Sequence, residues 1–141
     1  MQLTLFGEIP WHHVHPILVN FSAALIPVSV GSDVLAKITG WGSLRQAAWW
    51  TLLYGAAVTP ATALSGWIRK GAIENALPPD IIFRHQWIGT SLAIVFIALA
   101  IWRGSIHRRH KDPGLVYLLT AFAVVVLLIY QGNLGGTMVF G

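Results

Sequence analysis

The chain alternates long apolar runs with short polar breaks. Four runs stand out: Pro16 to about Ala36, about Gln46 to Trp67, His85 to Trp102, and Gly114 to about Gln131. A helix crossing roughly 30 Å of hydrocarbon needs about 20 mostly apolar residues, and each run comes close to that length. The breaks at 37–45, 68–84 and 103–113 hold charge, Gly and Pro. Each run is apolar on most faces, as expected of a helix with lipid on one side and helices on the other. Short connections make consecutive helices antiparallel neighbours. The pattern therefore predicts one all-α integral membrane domain over residues 1–141, a four-transmembrane-helix up-down-up-down bundle.

Composition agrees. Charged types make up 10% of the chain and hydrophobic types 55%, with a mean hydropathy of +0.66. A soluble domain carries roughly 25% charged residues. An ordinary soluble enzyme and a disordered segment are excluded. The net charge of +4 comes from a few flanking residues without a continuous basic face, so no nucleic-acid partner is expected. With no cysteine, disulfides, thiolate catalysis and Cys-ligated clusters drop out.

Aromatic residues gather near the predicted span ends: Trp11, Trp67, Trp87 and Tyr130 toward one face, Trp41, Trp49, Trp102 and Tyr117 toward the other. Basic residues set the orientation. Lys37, Arg45, Arg103, Arg108, Arg109 and Lys111 fall on one side, against Arg69, Lys70 and Arg84 on the other. The first group is expected to be cytoplasmic, placing loops Lys37–Arg45 and Arg103–Pro113 inside and both termini on the exterior or periplasmic side of a bacterial inner membrane. Met1 to Pro10 lacks the basic start and apolar core of a signal peptide and reads as a short translocated tail.

The polar residues near the spans are few, and each is a candidate site. His15 opens the first span and His85 the third. In an up-down bundle these helices run parallel on a diagonal, so the two rings can face one another at one depth. That is a geometry for axial ligation of haem b or for a small metal site. His85, Gly89 and Ala93 recur at four-residue spacing on one face. Gly89 leaves a groove that either a porphyrin edge or a neighbouring helix can fill. Span two has the same habit without a histidine, in Thr51, Gly55, Thr59, Thr62 and Gly66, which reads as packing. His12 and His15 form an alternative metal pair, but Pro16 argues against a helix starting early enough to put them on one face. His107 and His110 sit among Arg108, Arg109 and Lys111, a run suited to anionic lipid headgroups.

Asp33 is the one acid inside a span, four residues before Lys37, the favourable orientation for a snorkelling ion pair. Asn20, Ser22 and Ser29 read as hydrogen-bonding groups between or within helices. In the break at 68–84, Ala72, Ile73, Ala76 and Leu77 make an apolar stripe suited to a short interfacial helix ahead of Pro78-Pro79. The glycine-rich stretch after Gln131, with Gly135 and Gly136, allows close backbone approach on the side of His15 and His85. Nothing resembles a nucleophile–base set, a phosphate loop or paired catalytic carboxylates, so enzymatic activity is not expected.

Two segments carry a family resemblance. His15-Pro16-Ile17-Leu18-Val19-Asn20-Phe21-Ser22 and Gly135-Gly136-Thr137-Met138-Val139-Phe140-Gly141, with Gly66-Trp67 and His85, resemble the small bacterial four-helix membrane proteins of domain of unknown function 2231. The resemblance implies a four-helix membrane fold akin to small b-type cytochromes and no established reaction. Asn20 stands where that family usually has a second histidine, and the sequence ends before a terminal one.

Two functions are expected. One is a non-catalytic accessory subunit of a larger electron-transport or photosynthetic complex, held in the lipid bilayer among other membrane subunits. The other is a haem b-binding or redox-associated membrane protein working through exterior histidines. A transporter is disfavoured, because the middles of spans three and four (92–100 and 121–129) are almost wholly apolar.

Overall fold

The computed structural model describes residues 4–5, 9–73, 75 and 77–140, with side chains from His13 onward except those of 72 and 73. Four helices follow a small antiparallel ladder. The ladder pairs β1 (Thr4–Leu5) with β2 (Ile9–Pro10), in the register Thr4 to Pro10 and Leu5 to Ile9. The helices are α1 (Trp11–Thr39), α2 (Gly42–Ile73), α3 (Pro79–Arg108) and α4 (Leu115–Phe140).

They form a ring in which each packs on its neighbours in sequence and α4 closes back on α1, leaving α1 and α3 on a diagonal. Cross-helix contacts fix the alternation of direction. His15 near the start of α1 meets Ser65 near the end of α2, while Ser29 late in α1 meets Ala48 early in α2. His85 early in α3 meets Gln131 late in α4, and Trp102 late in α3 packs edge-on against Tyr117 early in α4. The topology is up-down-up-down.

All four helices outrun the apolar runs that predict them. α1 begins at Trp11, so Pro16 lies inside the helix and not in its first turn. α2 continues to Ile73, absorbing the start of the segment read as an interfacial helix; Ala76, further along that segment, lies outside the described residues. α3 starts six residues before His85, with Pro79 at its first position, where a missing N–H removes no helical bond, and Asp80 beside the positive helix end. It then runs through Arg103 to Arg108. α4 takes in the glycine-rich stretch as far as Phe140, because a helix satisfies its backbone groups internally where hydrocarbon offers no partner. The α1–α2 connection is Gly40-Trp41. Gly40 takes φ +77°, and its N–H reaches the Ala36 carbonyl, a left-handed stop that suits glycine.

The inside is a tightly packed seam of Ile26, Leu52, Phe96, Leu99, Tyr117 and Ala121. The outside is equally apolar: Phe21, Tyr54, Leu64, Ile94, Ile101, Val116, Phe122 and Ile129 are exposed. A surface of this kind on every helix is that of a membrane protein. Three helices, over His13–Thr39, Pro79–Arg108 and Leu115–Phe140, are long and apolar enough to cross a bilayer. The exception is α2, diluted by Thr51, Gly55, Thr59, Pro60, Thr62, Ser65 and Gly66.

Candidate functional site

The helix registers bring His15 and His85 together. Their ring centres are 6.3 Å apart, with the planes nearly perpendicular. Each ring is held by the helix that follows its own in the chain. On α2, the Thr62 carbonyl and the Ser65 hydroxyl oxygen both lie 3.0 Å from His15 Nδ1. The carbonyl can only accept, and Ser65 gives its own hydrogen to the same carbonyl at 2.8 Å. These partners assign the proton to Nδ1 of His15 and leave Nε2 with a lone pair.

His85 is held in the opposite sense. The Gln131 amide nitrogen donates to the His85 backbone carbonyl at 2.7 Å and faces its Nδ1 at 3.0 Å. With one amide hydrogen on the carbonyl, the other points at Nδ1, so Nδ1 accepts and Nε2 carries the proton. One imidazole therefore presents a donor and the other an acceptor. The Gln131 carbonyl oxygen is buried without a hydrogen-bond partner.

Glycines make room for this arrangement. A Cβ on Gly66 would stand 2.9 Å from Cε1 of His15, and one on Gly135 would stand 3.1 Å from Cε1 of His85. A Cβ on Gly89 would stand 2.8 Å from the Gln131 amide nitrogen. The Gly89 face, expected to seat a porphyrin edge, thus carries the Gln131 side chain. A haem held by both rings would also need a bare coordinating nitrogen on each, whereas His85 Nε2 keeps its hydrogen while Gln131 donates to Nδ1. The pair as arranged does not fit a haem ligated by both histidines. The side chain of His12, the expected metal partner of His15, lies outside the described residues, and no cluster of three or more metal-ligating side chains occurs among those described.

The other expected small residues take varied places. Gly55 gives α1 a close approach, with Ile26 Cδ1 only 2.9 Å from where its Cβ would be. Thr59 donates within α2 to Ala56 at 2.8 Å and lies 3.4 Å from the Ala93 carbonyl of α3. Gly136 has open space around it.

Sequence reasoning missed the polar core of the opposite end. Asp33 pairs not with Lys37 but with Arg103 of α3, through two bonds of 2.8 Å to Nε and Nη2. The side chains are 0% and 1% exposed. Arg103, read as a loop charge, lies inside the bundle because α3 runs five residues past it. His107, read as a headgroup anchor, stacks on Trp49 with ring centres 5.2 Å apart, and Gly104 leaves room for that Trp.

Fold and surface together define a small all-helical membrane protein with a polar cluster at each end. The family model described as predicted membrane protein (DUF2231) matches residues 11–141, and the chain belongs to that family. Neither the curated proteins nor the solved structures yield a match.

Proposed function

We propose that the chain is a four-span membrane protein whose functional centre is the His15–His85 pair, a proton donor and a proton acceptor held at one depth. In this reading it serves as a non-catalytic accessory component of a redox assembly in a bacterial inner membrane. The observation that carries the proposal is the opposed anchoring of the two rings, by the Thr62 carbonyl on one side and the Gln131 amide on the other. A hydroxyl group of a membrane-soluble ligand can accept from His85 Nε2 and donate to the lone pair of His15. No further group is required to set either tautomer.

The fourth span is α2. Residues 46–68 carry no formal charge, and at 1.5 Å per residue they extend about 35 Å. Trp50, Tyr54 and Leu64 point outward from it like the apolar residues of the other three helices. In this reading the Arg103 end faces the cytoplasm and the histidine end the exterior, which the excess of basic residues at the first end supports. Arg103 itself no longer counts toward that asymmetry, since it is buried and paired.

The test is nitrogen NMR of the protein labelled in histidine and reconstituted in nanodiscs. Protonated Nδ1 at His15 and protonated Nε2 at His85 are expected, and the same tautomer on both rings would overturn the reading. Mild-detergent purification tests the accessory role. Stable co-elution of larger membrane subunits is expected, whereas a Soret band abolished by His85→Ala would restore the haem reading in its place.

A further inference from the structure

Three features meet beside the buried ion pair. A pocket of about 310 Å³ opens there, lined by Arg45, Gln46, Arg103, His107, His110 and Lys111. Gly42, the first residue of the 32-residue helix α2, also lines it, and the first turn of that helix holds no acid to occupy its free N–H groups. Two guanidinium nitrogens of lining residues, Arg103 Nη1 and Arg45 Nε, are buried without a hydrogen-bond partner. Nη1 lies away from the Nε–Nη2 edge that Asp33 occupies.

Among the described residues, the acids at this end are Asp33 and Asp112. Asp33 is committed to Arg103, and Asp112 reaches Arg45 Nη1 from an exposed position at 2.8 Å. Lys111, His107 and His110 line the pocket from the α3–α4 side with no acid paired to them. Unpaired donors, cations and a helix N-terminus around one cavity make an anion site. A volume of this size exceeds a simple halide and suits a tetrahedral oxyanion bearing several acceptors.

We propose that this pocket binds a phosphate group, with Arg45, His110 and Lys111 at its mouth and Arg103 beneath as a fixed positive charge. The phosphate belongs either to an anionic lipid headgroup or to a soluble phosphate compound, and the chemistry of the site is the same for both. The site is at the opposite end of the bundle from the histidine pair and does not depend on it.

The experiment measures thermal unfolding of the whole protein in nanodiscs. One arm titrates inorganic phosphate into phosphatidylcholine discs, against chloride at matched ionic strength. The other replaces part of the phosphatidylcholine by phosphatidylglycerol. A rise in Tm in the first arm assigns a soluble phosphate, and a rise confined to the second assigns a lipid headgroup; either supports the site. The variant His110→Gln/Lys111→Gln changes only exposed side chains and is expected to weaken the effect about tenfold. Equal stabilisation by chloride, no shift in either arm, or an undiminished shift in the variant would overturn the proposal.

Discussion

At one end of the bundle a full carboxylate and a full guanidinium are buried to 1% exposure or less. At the other, two half-buried imidazoles are held through neutral hydrogen bonds, one by a half-buried hydroxyl and one by a buried amide. Residues of α1 and α3 meet across the diagonal at both ends, but only the ion pair bonds the two helices to each other. The ion pair is held firmly because Arg103 gives Asp33 two bonds and both side chains are buried. The imidazoles are held from the flanking helices, His15 by Thr62 and Ser65 of α2 and His85 by Gln131 of α4. An end built from charges depends on its two partners alone, whereas one built from neutral rings depends on the helices that flank it.

The largest expected break in this contrast comes from the charged end. Asp33→Leu strands Arg103 as a buried cation and is expected to cost about 3–5 kcal/mol. The double variant Asp33→Leu/Arg103→Leu is expected to regain most of that loss, as read from thermal or denaturant unfolding in detergent. Equal losses in the single and double variants would remove the distinction between the ends. Next comes Gly66→Ala, whose new methyl must displace the His15 ring, for about 1–3 kcal/mol. The same change in a His15→Ala background should cost little, and Gly135→Ala should be milder because its neighbour stands slightly further off.

A smaller effect sharpens the neutral end. Gln131→Leu removes the amide that faces both His85 Nδ1 and the His85 carbonyl, at about 1 kcal/mol. It should also release His85 from its single tautomer, which nitrogen NMR reads directly. Ser29→Ala, which removes the 2.7 Å bond from α1 to the Ala48 carbonyl, is expected to cost only about 0.6 kcal/mol, the usual size within membranes. Gly31→Ala is the control. It faces open space in a helix and should be neutral or stabilising by at most about 1 kcal/mol.

Helix number, order and the meeting of His15 with His85 are legible in the sequence because hydropathy and helical register carry them. The helix ends are not. Pro16 and the glycines after Gln131 are stop signals in water, yet a backbone in hydrocarbon must satisfy its polar groups internally, and they stay inside α1 and α4. Asp33 misleads for a related reason: Lys37 offers a partner one turn away, whereas Arg103 lies 70 residues further along and can be matched to it only by the depth of both in the bundle. Gln131 was visible as the polar boundary of the fourth run. Its depth beside His85 and Gly89 was the unused signal, since a side-chain amide opposite a glycine and a histidine has an evident place to go.

The diagonal ion pair also bears on how the protein is made. Asp33 is on the first helix to be synthesised and Arg103 on the third, so the carboxylate enters the membrane before its partner exists. A charge near a helix end in hydrocarbon is costly until it is paired or reaches water. The α1–α2 hairpin therefore leaves a carboxylate unpaired until α3 supplies Arg103. The same two residues that join α1 to α3 in the mature bundle make the first helix depend on the third.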